Sequence, residues 1–435
     1  MVAFLHQPKT RTFLWMWFGQ SISMFGSGMT SFAIGVWLYL QTGTATPLAL
    51  SILFGNTPAI LLSPVAGVIA DLYSRKYIML ISDIIQALLA LILFFVVISD
   101  DIKIPYIYVI LALSSAASSF QWPAEQATVS LLIPNDQLGR ANGLQSFGEG
   151  AANLAAPILA GLLVPLIGIQ KIILIDLGTF LVSSTILFLL KIPNNEISSK
   201  VEKLNESFGK QIATGWKFII SNPGLLGLLA LGSTANLYGY FVTFRLVIPV
   251  IINETNDTKI LGIVTSIFGI GMLVGGIVMT AWGGPKKRIH GIAGAMLISG
   301  LLGQVLFGST SSSLGWVLAV FFGSFVIPIQ GGSTNAIWQS RTPKEIQGRV
   351  FALRRLISQI TAPIGLIAIG PLVDNFLQPM LQSQRFSIWG LGFGGTSNSG
   401  YEFAFIALGL LSALTSTLYL IIPSVRNIEE KLPET

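Results

Sequence analysis

Long apolar runs alternate with short polar gaps along the chain, and their spacing predicts membrane-spanning helices. The hydrocarbon core of a bilayer is about 30 Å thick, so a helix needs roughly 20 apolar residues to cross it. The predicted spans are residues 13–40, 46–70, 77–99, 104–132, 141–168, 171–191, 223–251, 260–282, 289–308, 314–339, 349–376 and 401–423. The pattern predicts an all-α membrane protein with twelve transmembrane helices.

The gaps between these runs form a basic set and a nearly uncharged set. Alternate gaps and the two ends of the chain hold 20 of the 25 Lys and Arg residues, with Arg354 and Arg355 counted in the gap before the eleventh span. The other gaps hold four. Because basic loops are retained in the cytoplasm, we expect a multi-pass protein of the cell (inner) membrane with both termini in the cytoplasm.

One long polar segment divides the predicted spans into six and six. Residues 192–222 carry four lysines against three glutamates, which is typical of a linker with a surface helix. The expected domains are residues 1–191 as an amino-terminal six-helix bundle, residues 192–222 as a cytoplasmic linker, and residues 223–435 as a carboxyl-terminal six-helix bundle.

The two halves share a spacing that indicates duplication. An offset of 209 residues aligns Pro134, Gly139 and Arg140 with Pro343, Gly348 and Arg349, Gly67 with Gly276, and Gln121 with Gln330. One offset therefore serves three separate loops. Repeated halves are common among transporters, so the two six-helix bundles are expected to be pseudo-symmetric.

Composition argues against catalysis and against cofactor binding. The chain has 52% hydrophobic and 10% charged residues, no Cys and 2 His. Without Cys the chain cannot form thiolate metal sites or cysteine nucleophiles. Two histidines make an imidazole metal site or a Ser-His-Asp triad improbable. The net charge is +6, and the basic residues lie in the short gaps between the apolar runs. We expect no enzyme activity, no cofactor, no metal and no nucleic-acid partner.

The loop after the second span carries a motif of glycine, three residues, aspartate and then a basic pair. Its residues are Gly67, Asp71, Arg75 and Lys76. The motif resembles the cytoplasmic loop of the major facilitator superfamily. Glycine permits close helix approach, and an aspartate accepts hydrogen bonds from the positive amino end of a neighbouring helix. We expect Asp71 to cap the helix beginning near Gly348 and Arg349, so that these residues form a gate with Arg140.

A second stretch resembles a narrower branch of that superfamily. The sequence Phe120-Gln-Trp-Pro-Ala124, followed by Leu138-Gly-Arg-Ala-Asn-Gly-Leu144, is similar to the signature of macrolide efflux pumps and the enterobactin exporter. Pro157 and Gly161 resemble the antiporter motif of the fifth span. The resemblance implies a helix bend there, packed at the interface between the halves.

Ionisable residues inside spans are candidates for function. Glu149 lies nine residues after Arg140, about 14 Å deep. Its expected role is proton coupling or binding of a cationic substrate, and a structural carboxyl is the alternative. Asp176 is expected to be shallow on the sixth span, and Asp83 to join the cytoplasmic charge network with Arg140 or the basic loops. Both are further candidates for proton coupling.

Polar residues at cavity depth mark a candidate substrate pocket. They are Gln20, Asn236, Tyr240, Arg245, Gln330 and Asn335. Such a pocket suits a mostly apolar molecule that has a few hydrogen-bonding groups. Arg245 is also suited to pair with an anionic group, or to reach the outer interface.

The expected function is secondary active transport by alternating access. The resemblance implies proton-coupled efflux of an amphiphilic drug, siderophore or metabolite by a monomer embedded in the lipid bilayer. Transport alternatives are a lysophospholipid carrier and a nutrient uptake symporter. A membrane scaffold or sensor without transport activity is the alternative from another class.

Overall fold

The computed structural model describes residues 8–42, 46–99, 104–193, 208–242, 247–255, 258–382, 386–388, 391–393 and 398–431. Helices dominate these residues. Water is absent from a bilayer core, so each backbone N–H and C=O there must find its partner within the protein, and a helix supplies these partners from its own segment.

Six helices form the first half of the chain, residues 8–193. They are α1 (Pro8–Thr42), α2 (Thr46–Leu61), α3 (Ser63–Leu72), α4 (Arg75–Ile98), α5 (Ile104–Leu132) and α6 (Leu138–Leu189), with a 3₁₀ turn at Asn135–Gln137. A bend of 47° separates α2 from α3. Pro64 explains it, because a proline in the first turn of a helix cannot continue the hydrogen-bond ladder of the helix before it.

Helix α6 covers two predicted spans. Its backbone leaves helical geometry at Gly168, where φ is 80° and ψ is 159°. A side chain would be strained at this positive φ, so glycine allows the chain to turn here. The break falls at the gap that the apolar pattern predicts between the fifth and sixth spans.

The second half, residues 208–431, begins with α7 (Phe208–Ser221), which lies at 96° to the next helix. There follow α8 (Pro223–Val242), α9 (Val247–Thr255), α10 (Thr258–Trp282), α11 (Arg288–Ile298) with a π-helical turn (Ser299–Val305), α12 (Leu306–Gly308), α13 (Ser313–Phe325), α14 (Ile327–Arg341), α15 (Gln347–Leu372) with a π-helical turn (Val373–Leu377), α16 (Gln378–Gln382), α17 (Ser399–Ile421), α18 (Pro423–Arg426) and α19 (Ile428–Lys431).

A short antiparallel hairpin interrupts this helical architecture. Strands β1 (Phe386–Ile388) and β2 (Leu391–Phe393) pair with Phe386 opposite Phe393. In the described residues, seven helices are long and apolar enough to cross a membrane, and up to nine if each bent pair counts as one span.

Helix α7 lies in the predicted linker, where a surface helix is expected. Its lysines Lys210 and Lys217 are exposed, but Gln211 and Ile219 are buried. A methyl group at Gly215 would lie 3.0 Å from Cγ of Arg349 on α15. The helix therefore packs its inner face against α15.

Two arginines lie deeper than the gap to which the charge pattern assigned them. Arg354 and Arg355 belong to α15, and neither is fully exposed. The guanidinium of Arg354 lies 5.4 Å from the ring centre of Trp338, and that of Arg355 lies 5.1 Å from the ring centre of Trp122. Counting them as loop charges is wrong, because each lies over an aromatic face inside the helix assembly.

Candidate functional site

The two halves of the chain meet at the end of the helices that carries the predicted basic loops, which we call the basic end. Asp71 caps α15 there. Its Oδ1 accepts from the backbone N–H of Gly348 at 2.6 Å, and its Oδ2 accepts from the backbone N–H of Arg349 at 3.0 Å. Nε of Arg349 donates to the same Oδ2 at 3.0 Å. The Asp71 side chain is 0% exposed. The predicted contact is present, and a carboxylate at a helix amino terminus is favourable.

Small residues allow this contact. A methyl group at Gly67 would overlap the carbonyl oxygen of Gly348 and would lie 2.8 Å from Cα of Arg349. A methyl group at Gly276, the equivalent glycine of the second half, would lie 2.9 Å from Cα of Phe147 on α6. Both interfaces therefore bring helix backbones together with no side chain between them.

Two arginines repeat one arrangement across the halves. Arg75 is the first residue of α4, and it donates from Nη1 to the Ala127 carbonyl at 2.7 Å and from Nη2 to the Lys344 carbonyl at 2.9 Å.

Arg288 is the first residue of α11, and it donates from Nη1 to the Ala336 carbonyl at 3.1 Å and from Nη2 to the Asn135 carbonyl. The acceptors Ala127 and Ala336 are 209 residues apart, as are Asn135 and Lys344. Each arginine thus binds a carbonyl of its own half and a carbonyl of the other.

Buried amides join the halves beside these arginines. Nδ2 of Asn142 donates to Oε1 of Gln339 at 2.8 Å, and Nε2 of Gln339 donates to Oε1 of Gln126 at 3.0 Å. Ser130 donates to Oε1 of Gln347. These groups hydrogen-bond to one another across α5, α6, α14 and α15, so they form a buried polar layer at the basic end.

A chamber lies beyond this layer, with acids from the first half and a cation from the second. Oε1 of Glu125 on α5 accepts from Nε2 of Gln145 on α6 at 2.9 Å. One turn further along α6, Glu149 is surrounded by protein, yet its side chain is exposed. Arg355 is the cation that acts on the Glu149 charge, and Glu125 is the nearby second acid. An exposed carboxyl inside the assembly indicates an accessible cavity.

Three buried polar atoms near Glu149 have no hydrogen-bond partner among the described residues. They are Nε1 of Trp17, Oε1 of Gln145 and Nη1 of Arg355. A methyl group at Gly148, next to Glu149, would lie 3.0 Å from Nε1 of Trp17. Unpaired buried polar atoms are costly, so this region departs from the usual pairing of buried groups.

Asp83 does not join the cytoplasmic charge network, as the sequence led us to expect. It is 0% exposed and accepts from Nε2 of Gln121 at 2.8 Å, from Oγ of Ser183 at 2.8 Å and from Nε2 of Gln20 at 3.3 Å. Uncharged donors from three helices surround the carboxylate instead of Arg140. Gln20 therefore belongs to a buried network inside the first half.

The segment of α6 around Pro157 and Gly161 has neighbours on α1 of its own half. The methyl group of Ala156, next to Pro157, would be 2.9 Å from a methyl group at Gly28 on α1, and one at Gly161 would be 3.9 Å from the ring of Phe32 on α1. Gly150 and Leu154, two turns and one turn before Pro157 on α6, contact the second half. The predicted packing of Pro157 and Gly161 between the halves stays a prediction.

The remaining predicted residues are spread over several environments. Asp176 is buried beside Ser27, and its shallow depth in the membrane stays a prediction. Asn335 accepts from Nη2 of Arg354 at 2.8 Å. Asn236 donates to the Ser358 carbonyl at 3.4 Å.

Three further predicted residues can be placed and two cannot. Nζ of Lys76 donates to the carbonyls of Phe188 and Leu190, each at 2.8 Å. Arg140 packs on Gly283, and Gln330 is partly buried on α14. Arg245 and the side chain of Tyr240 lie outside the described residues.

Sequence reasoning missed three of the functional candidates. Glu125 lies within the predicted fourth span, and Arg355 within the predicted eleventh. Charge inside a span was the available signal for both. Arg288 was counted only as a loop charge, because it stands four residues beyond the 209-residue equivalent of Arg75. In the described part of the chain, no group of three His, Cys, Asp or Glu residues could hold a metal ion.

Comparison with known proteins agrees with the motifs. Macrolide efflux protein A of Streptococcus pyogenes is 29% identical over 371 residues, which are 83% of this chain and 89% of that protein. The multidrug efflux pump Tap of Mycolicibacterium fortuitum is 24% identical over 418 residues, 93% of this chain and 94% of that protein.

A solved structure shares the fold. The outward-facing bacterial homologue of the iron transporter ferroportin superposes with a TM-score of 0.67 at 17% identity, and the match covers 94% of this chain and 99% of that one. The sequence model of the Major Facilitator Superfamily matches residues 16–366. With motif, fold and family match in agreement, the chain belongs to the Major Facilitator Superfamily.

Proposed function

We propose that this protein is a proton-driven exporter of amphiphilic organic molecules that works by alternating access. In this proposal, twelve transmembrane helices form two pseudo-symmetric six-helix bundles, and residues 192–222 link them. The protein acts as a monomer in the cell membrane with both termini in the cytoplasm. The efflux proteins with which the chain aligns support the direction of transport.

The chamber is the observation that carries the proposal. Glu149 lies near Arg355, whose guanidinium lies over the indole ring of Trp122, and Glu125 is the nearby second acid. An aromatic wall favours an apolar molecule, and a carboxylate favours one that carries an amine. When Glu149 is ionised, Arg355 is its internal partner. A substrate amine or a proton would compete with that partner for the same carboxylate.

The closed basic end supplies the second requirement of alternating access. Contacts through Asp71, Arg75 and Arg288 join the halves there. We assign this end to the cytoplasm because basic loops are retained on that side. The described conformation is therefore closed to the cytoplasm, and substrate entry from inside requires these contacts to separate.

Glu149→Gln tests the coupling in proteoliposomes with an imposed pH gradient and a radiolabelled macrolide as the probe. The amide mimics the protonated carboxyl, so the variant should lose gradient-driven accumulation and pH dependence while it retains part of the exchange of labelled for unlabelled macrolide. Asp136→Asn removes an exposed acid at the basic end and should leave transport unchanged. Full accumulation with the original pH dependence in Glu149→Gln vesicles would show that this carboxyl is structural.

A further inference from the structure

Helix α7 is oriented like a helix that lies along a membrane surface. It meets α8, which begins the predicted seventh span, at an angle of 96°. Only Asn222 separates the last residue of α7, Ser221, from the first residue of α8, Pro223. A helix that crosses the bilayer therefore begins where α7 ends, and with the basic end in the cytoplasm α7 lies at the cytoplasmic surface.

One stripe of α7 is apolar yet faces away from the protein. Positions four apart lie on one side of a helix, and the buried positions are Gln211, Gly215 and Ile219. Trp216 and Ile220 each follow a buried position by one residue, so they lie about 100° further round the axis. They are 40% and 47% exposed. Exposed apolar side chains at a bilayer surface indicate contact with lipid, and an indole ring is typical of that depth.

A further stripe of α7 is polar and basic. Lys210, Thr214, Lys217 and Ser221 are exposed and follow one another at intervals of three or four residues. The 14 residues of the helix include no Asp or Glu. The charge of α7 therefore complements the anionic phospholipids of a cytoplasmic leaflet, whose negative surface attracts lysine side chains.

The buried stripe of α7 contacts the side chain that closes the basic end. Nη1 of Arg349 donates to the backbone carbonyl of Gln211 at 3.4 Å, and Nε of the same side chain donates to Oδ2 of Asp71 at 3.0 Å. Arg349 is thus held between α7 and the carboxylate that caps α15. If α7 moved away from α15, Arg349 would lose this acceptor.

We propose that α7 binds the anionic phospholipids of the cytoplasmic leaflet and that this binding stabilises the closed basic end. Trp216 and Ile220 insert at the boundary between headgroups and acyl chains, and Lys217 binds headgroup phosphates. The leaflet then keeps the Gln211 carbonyl against Arg349. This role rests on the cytoplasmic assignment of the basic end in the proposed function, but it does not require export.

Spin labels at two neighbouring positions of α7 test the contact with lipid in the full-length protein. The chain has no Cys, so Ala213→Cys and Thr214→Cys each carry a single label at an exposed position. Position 213 lies beside Ile220 on the apolar stripe, and position 214 lies on the basic stripe.

The measurement is made in nanodiscs of phosphatidylcholine and phosphatidylglycerol. The label at position 213 should collide more often with oxygen, which concentrates in lipid, than with a water-soluble nickel chelate. The label at position 214 should show the opposite preference. Equal preferences at the two positions would overturn the proposed contact.

The effect of lipid charge is measured as a distance across the basic end. Tyr77→Cys and Lys286→Cys are exposed and place one label on each half. Nanodiscs of phosphatidylcholine alone should contain more of the long distances than nanodiscs with phosphatidylglycerol. With phosphatidylglycerol present, Lys217→Gln should lower the ratio of closed to open forms by up to about fivefold, the contribution of one lysine at an anionic surface.

Lys191→Gln is the matched control. Lys191 is exposed, follows α6 at the basic end and lies outside α7, so the variant removes the same charge without touching the helix and should leave the distances unchanged. The proposal is overturned if lipid charge does not alter the distances, or if Lys217→Gln and Lys191→Gln alter them equally. Neither measurement uses transport or a pH gradient, so a failure of the export proposal would not produce these results.

Discussion

Replacing Asp71 by Asn should open the basic end of the protein. The substitution keeps the size of the side chain but removes its charge and turns one acceptor oxygen into an NH₂ donor. That donor would face an N–H group of the α15 amino terminus, where the carboxylate now accepts from Gly348, Arg349 and the Arg349 guanidinium. The change thus breaks the contact in the closed state alone, since an opened gate leaves residue 71 in water.

The size of this shift toward the open form follows from the burial of the Asp71–Arg349 ion pair. The side chains of Asp71 and Arg349 are 0% and 3% exposed, and removing one partner of a buried ion pair costs about 3 to 5 kcal/mol. At 1.4 kcal/mol for each factor of ten, the lower figure shifts the balance between closed and open forms by on the order of 100-fold.

Distances between spin labels across the basic end measure this shift. The chain contains no Cys, so Tyr77→Cys and Lys286→Cys place one label on each half at exposed positions. The distance distribution should move to longer values in Asp71→Asn and should stay unchanged in the matched control Asp136→Asn. If Asp71→Asn keeps the short distances of the parent protein, the cap does not hold the gate and the reasoning fails.

Three other substitutions test separate parts of the structure. Gly67→Ala inserts a methyl group against the Gly348 carbonyl, so it should lengthen the same label distances. Arg75→Gln and Arg288→Gln each remove charge-assisted bonds worth about 1.5 to 3 kcal/mol apiece, and they should open the basic end to a similar extent. Asp83→Ala leaves three buried donors without their acceptor, so it should lower the melting temperature in detergent by several degrees.

A different outcome would contradict each of these three predictions. Unchanged distances in Gly67→Ala would mean that the helices do not meet as closely as described. An effect from Arg75→Gln without one from Arg288→Gln would contradict the repeated arrangement. For the buried network, Asp83→Asn is the control because its amide oxygen still accepts. Equal melting temperatures for Asp83→Ala and Asp83→Asn would show that the donors find other partners.

The contact of Asp71 with α15 was predictable because it depends on local features. A loop motif placed the carboxylate at the end of one helix, and the 209-residue offset placed Gly348 and Arg349 at the start of another. Apolar run length was sufficient to find most helices for the same reason. Each of these signals is read within one short segment.

The contacts of Asp83 and Arg355 were not predictable, because they depend on how helices rotate about their own axes. Asp83 lies within reach of the basic loops by depth alone, but its helix turns it toward Gln121 and Ser183. Run length and charge do not report that rotation. The equivalence of Arg288 to Arg75 was not predictable because the two loops differ in length. Five residues separate α10 from α11, but only two separate α3 from α4.

The arginines Arg75 and Arg288 reach across the molecule to carbonyl oxygens, not to side chains. Every amino acid offers a carbonyl, so the loops that hold Asn135 and Lys344 could exchange these side chains in the course of evolution without losing the bonds. What natural selection must preserve is the path of the backbone and the two guanidinium groups. Related exporters could therefore diverge widely in these loops and still close in the same way.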